Sequence, residues 1–120
     1  MKQALLALLG FTVVTTVACG GPPVPQDQLT ASQAAISAAE VGGTPGDPQA
    51  ALLVKKAKDQ IVEAKKLIED GNNHRAEMVL LRAEADAQLA LAIAQELATR
   101  NEADTAEKQV QELRQRQGKK

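Results

Sequence analysis

Cys19 is the only thiol in the chain, and its neighbours say more about its chemistry than the sulfur does. Lys2 is the sole charge before it, and Ala4 to Ala18 carry none. Gly20, Gly21, Pro22 and Pro23 follow it. A basic start, a short apolar run and small residues at its end form a secretory signal peptide over residues 1–18. A lone cysteine has no partner for an internal disulfide, and an exported free thiol is a reactive liability. Glycine and proline on its C-terminal side also deny it a packed core position.

The other residues able to do chemistry are isolated. His74 is the single histidine and has no Cys/His cluster beside it, as a zinc site would require. Glu84 and Asp86 resemble an acid–base pair in composition only, because two residues apart on a helix they point about 200° away from each other. Lys55, Lys56 and Lys58 form a small basic group offset by Asp59 and Glu63. Gly42-Gly43 lacks the strand before it and the Lys-Ser/Thr after it that a phosphate loop needs. Ser32 and Ser37 have no base within reach of a helical hairpin. No catalytic residue, metal ligand or cofactor site is expected, and the chain does not read as an enzyme.

Thr16-Val17-Ala18-Cys19 is similar to a bacterial lipoprotein signal, in which the chain is cut before the cysteine and that cysteine is lipid-modified. Ala18 and Cys19 fit the pattern; Thr16 stands where Leu, Ile or Val is usual. Thr16 and Ala18 also satisfy the small-x-small rule of ordinary signal cleavage. A membrane-anchor helix is the third reading, but the run covers only about 22 Å of a hydrocarbon core about 30 Å thick. The resemblance implies that the lipid on Cys19 tethers the chain to a membrane. Gly20 after the cysteine, where many Gram-negative inner-membrane proteins have Asp, favours the outer membrane facing the periplasm.

Cleavage before Cys19 leaves enough chain for one small domain. Fourteen basic residues, Lys2 among them, stand against fifteen acidic ones, so loss of Lys2 leaves a net charge of about −2. That balance gives no long-range attraction for nucleic acid. Phe11 is the only aromatic residue and leaves with the signal, which removes the stacking platforms that single-stranded nucleic acid needs. Alanine with a few Leu, Ile and Val must then build the core. Such small side chains favour helices lying close together.

Residues 19–26 read as the modified cysteine and a Gly/Pro linker, extended by Pro22, Pro23 and Pro25. Residues 27–116 read as the helical domain, and 117–120 as a frayed basic tail. Asp27 offers an N-cap to a short helix over Gln28 to Val41, with Leu29 and Ile36 on its apolar side and Gly42-Gly43 at its end. Asp47-Pro48 forms the next start signal. From Pro48 to Asp70, the positions Ala50, Val54, Ala57, Ile61, Ala64 and Ile68 step by four and three, a heptad seam widened by Leu53 and Leu67. Lys55/Asp59, Lys65/Glu69 and Lys66/Asp70 are spaced for ion pairs on its outer side.

Gly71 ends that helix, and Asn72 or Asn73 caps a long third one running to Arg116. Its residues Ala76, Leu80, Ala83, Ala87, Ala90, Ala94 and Leu97 repeat the four-three spacing and predict close antiparallel packing on the second helix. The fold class expected is all-α: a short helix followed by a long antiparallel helical hairpin, three helices packed in coiled-coil manner. A second row, Leu89, Ile93, Thr99, Ala103, Ala106, Val110 and Leu113, lies on another face. The first helix is expected to cover part of it.

Glu69-Asp70-Gly71-Asn72-Asn73-His74-Arg75-Ala76, followed by Ala83-Glu84-Ala85-Asp86-Ala87-Gln88-Leu89-Ala90, resembles the bacterial proteins grouped as domain of unknown function 4398. The resemblance runs from about Asp27 to Leu97. It implies an envelope lipoprotein of helical architecture; some members carry a peptidoglycan-binding domain after the helices. The expected function is therefore a lipid-anchored scaffold or adaptor, binding an envelope protein through Leu89, Ile93, Ala103, Ala106, Val110 and Leu113. A homodimer through the same row, or a module for cell wall or a small ligand, are the alternatives.

Overall fold

The computed structural model describes residues 21–119; Thr16, Val17, Ala18 and Cys19 lie outside them, as does the signal peptide. Three helices, α1 (Gln26–Val41), α2 (Pro48–Glu69) and α3 (Asn73–Gln117), follow one another, with one 3₁₀ turn at Thr44–Gly46. No strand occurs among the described residues. α2 and α3 form the antiparallel hairpin, and α1 packs mainly on α3 and less on α2. The fold class read from the sequence holds.

Both seams are buried as their spacing requires. Ala50, Val54, Ala57, Ile61 and Ala64 of α2 meet Ala76, Leu80, Ala83, Ala87, Ala90 and Ala94 of α3 in one core, which also takes Val79. Ile68 and Leu67 close it at the turn end, half-buried. Most of these side chains are alanine, so the helices approach closely and the stabilisation per residue is small. Leu80 is the largest fully buried side chain. α1 adds Ser32, Ile36 and Ala39, with Leu29 and Ala35 at the edge. The Ser32 hydroxyl, buried, donates to the Leu29 carbonyl at 3.0 Å and so is satisfied within its own helix.

Local chemistry sets the ends. Asp47 caps α2 by accepting from the Ala50 N–H at 2.8 Å, with Pro48 at the first helical position. At the hairpin turn Gly71 takes φ 75°. Its N–H donates to Ile68 O at 3.0 Å and that of Asn72 to Leu67 O at 2.7 Å, which is a Schellman ending. Gly42 closes α1 where its backbone lies against Leu91; a Cβ there would collide with Leu91 Cδ1.

The sequence reading needs three corrections. α1 starts at Gln26, with Pro25 rather than Asp27 in the N-cap position. Asp27 sits in the first turn instead, where its charge favours the helix dipole. The Gly/Pro stretch is not a free spacer: Pro25 is buried, and Pro22 O accepts from Asn73 Nδ2 at 2.6 Å. Of the two expected caps, Asn72 takes the N-cap position of α3 without a side-chain capping bond, and Asn73 spends its side chain on the segment before α1. Nor do the three lysine–carboxylate pairs of α2 form. Lys56 reaches Asp86 of α3 at 3.2 Å and Lys58 reaches Glu40 of α1 at 2.5 Å. The three predicted pairs place lysine N-terminal to the acid, the weaker orientation along a helix. The pair that does form within α3, Glu96 with Arg100, has the acid first.

Candidate interaction surface

α3 changes character along its length. From Ala76 to Ala94 a buried residue recurs every three or four positions; Leu97 is half-buried, and every residue from Ala98 to Lys119 is exposed. At 1.5 Å per residue the 45-residue helix is about 66 Å long, of which about 30 Å project beyond the bundle. Alanine, Glu, Gln, Lys and Arg keep the projecting part helical, and neither Gly nor Pro interrupts it before Gly118. Its weakest stretch for helix formation is Thr99 to Thr105, where Thr99 and Thr105 donate back to Gln95 O at 3.0 Å and Asn101 O at 2.7 Å.

The predicted second row is divided by this change. Leu89 is 50% exposed although it lies within the bundle. Ile93 is half-buried and packs against the core, so it belongs to the fold and drops out of the free row. Ala103, Ala106, Val110 and Leu113 lie on the projecting part and are all exposed, Val110 by 46% and Leu113 by 57%. Their spacing of three, four and three keeps them on one face.

The same face extends further toward the hairpin turn than the sequence reading placed it. Met78 and Leu81 are exposed, as are Ala85 and Ala92. Met78, Ala85 and Ala92 stand seven apart and in phase with Ala106 and Leu113. That repeat was the available signal, masked by the stronger seam of Ala76, Leu80 and Ala83. A stripe of modest apolar residues thus runs most of the length of α3, broken at Glu96 and Thr99.

The remaining candidates for chemistry stay apart. His74 is exposed, with Nδ1 3.9 Å from Glu77 Oε2, beyond hydrogen-bond range. Glu84 accepts from Gln88 Nε2 at 2.9 Å while Asp86 faces Lys56, so the two carboxylates serve different neighbours. Among the described residues no group of three His, Cys, Asp or Glu side chains is placed to hold a metal ion. No described helix is long and apolar enough to cross a membrane. The clefts are open to solvent; one lies between Pro22–Gln28 and Glu77, another beside Gln33, Ile36 and Ile61. The first is lined by prolines and Val24 together with Gln26, Asp27, Gln28 and Glu77.

No curated protein and no solved structure matches the chain. A family profile does, over residues 27–106, which takes in α1, the hairpin and the first part of the projecting segment. The chain therefore belongs to the family described as Domain of unknown function (DUF4398).

Proposed function

We propose that this chain is a lipid-anchored adaptor of the bacterial cell envelope, held by Cys19 and acting by binding rather than catalysis. The observation that carries the binding half is the exposed length of α3 from Ala98 on, with Ala103, Ala106, Val110 and Leu113 in heptad spacing and covered by none of the described residues. A helical segment without a packed face lacks the main source of helix stability in proteins, and a protein partner supplying that face explains the spacing. Such helix-in-groove recognition reads anchors three and four residues apart. The anchoring half rests on Thr16-Val17-Ala18-Cys19 and the apolar run before it. The outer membrane, facing the periplasm, is the location that Gly20 favours.

Two arms test this reading in cells. Metabolic labelling with a tagged fatty acid marks the native chain and not Cys19→Ala, with the label in the outer-membrane fraction. A photo-crosslinking residue placed at Leu113 gives an adduct with another envelope protein, and the same residue placed at Lys65 on α2 gives none. Absence of fatty-acid label removes the anchor. An adduct of twice the chain's own mass replaces the adaptor with a homodimer, and binding to isolated peptidoglycan without a protein adduct replaces it with a cell-wall module.

A further inference from the structure

We propose that the hairpin-turn end of the bundle is the face turned toward the lipid surface, and that α3 carries its free segment away from the bilayer. This rests on the Cys19 anchor. Pro22 is tied to the first residue of α3 by the Asn73 amide at 2.6 Å. Pro25 is buried and Gln26 N–H donates to Val24 O at 2.9 Å, so the chain enters α1 in a fixed path beside the turn. Two residues, Gly20 and Gly21, lie between Cys19 and Pro22, so three steps of chain span at most about 11 Å. The lipid is therefore held within that distance of the Gly71–Arg75 turn.

The opposite end of the molecule has no such tie. α3 begins at the turn and ends about 66 Å from it, so its projecting part spans the interval from about 36 to 66 Å beyond the membrane-proximal end. The turn itself offers Asn72, His74 and Arg75, exposed and polar, with Val24 of the entering segment as the exposed large apolar side chain beside it. It rests at headgroup level. Along α3 eight carboxylates stand against six basic side chains, a slightly acidic balance that gives the helix no attraction to lie flat on anionic lipid. The stripe from Ala103 to Leu113 is thereby presented to partners well clear of the bilayer.

Energy transfer measures this orientation. The full chain is expressed in cells as Arg75→Cys or Gln115→Cys and its membranes are isolated. A thiol-reactive donor dye is attached to the new cysteine, and an acceptor-labelled phospholipid is added. Acylated Cys19 does not react, and the unsubstituted chain carried in parallel takes up no dye. Transfer from position 75 is expected to exceed that from position 115 several-fold. Adding Asn73→Ala, which releases Pro22, narrows the contrast while leaving the helices folded by circular dichroism. Equal transfer from the two positions, or greater transfer from position 115, overturns the orientation while leaving the anchor intact. Dye on the unsubstituted chain overturns the anchor itself, and the orientation falls with it.

Discussion

The two parts of α3 are written in the same alphabet and meet opposite fates. Residues 73–97 bury Ala76, Val79, Leu80, Ala83, Ala87, Ala90 and Ala94 against α1 and α2. Residues 98–117 carry Ala103, Ala106, Val110 and Leu113 at the same spacing and leave all of them in solvent. The difference lies in phase and in neighbours. Leu89 and Ala90 are adjacent in sequence, yet one is half exposed and the other fully buried, because one residue is about 100° of helix. Four-three spacing thus states that a face can be covered; only chain topology states what covers it. α2 and α1 end before the projecting part begins, so no described residue covers that face.

Substitutions that separate the two parts should differ most at Leu80. Leu80→Ala removes the largest fully buried side chain and should cost about 2–5 kcal/mol. Leu113→Ala should change stability by less than about 0.5 kcal/mol. Urea unfolding of the purified chains distinguishes them, and a comparable loss at Leu113 breaks the comparison. Overpacking gives the next contrast. Ala87→Leu drives a larger side chain into the seam at about 1–3 kcal/mol, whereas Ala106→Leu, on the exposed face, leaves the midpoint unchanged in dilute solution.

The turn sharpens the picture at a smaller scale. Gly71→Ala places a Cβ at φ 75° and should lose about 1–2 kcal/mol in thermal unfolding. Asp47→Ala removes the cap on Ala50 and should lose about 1 kcal/mol, seen as a lower denaturation midpoint. Lys58→Gln should do less than either of these. Its ion pair with Glu40 is solvent-exposed, so the loss should be about 0–1 kcal/mol and should vanish at high salt.

Most of the bundle was legible because alanine, glycine and the two cap signals act locally. Ala50 to Ala64 and Ala76 to Ala94 announced their burial by period, and Asp47-Pro48 and Gly71 announced their ends by backbone chemistry. What remained hidden depends on distant partners. Asn72 and Asn73 both read as caps; Asn72 takes the N-cap position, and the carbonyl of Pro22, 51 residues away in sequence, claims the side chain of Asn73. The pairs expected along α2 used Lys55, Lys65 and Lys66, whereas the lysines that do pair are Lys56 and Lys58, with carboxylates of α3 and α1. Ile93 stands in the second row by spacing and is half-buried against the core, in keeping with the expectation that part of that row is covered within the bundle. The stripe itself was half seen: Val110 and Leu113 stand out at the end of the chain, while Met78 and Leu81 were overshadowed by the adjacent seam.

Hydrogen exchange of the purified full chain, followed residue by residue along α3 at two protein concentrations, tests the division most directly. Amides from about Ala76 to Ala94 should exchange only through opening of the bundle. Those from about Ala98 to Gln117 should exchange faster by several orders of magnitude at both concentrations, as a helix without a packed face must. Uniform slow exchange to the end of α3 would mean that the projecting face is already covered in the isolated protein, and the account of it as a surface awaiting an external partner would be wrong.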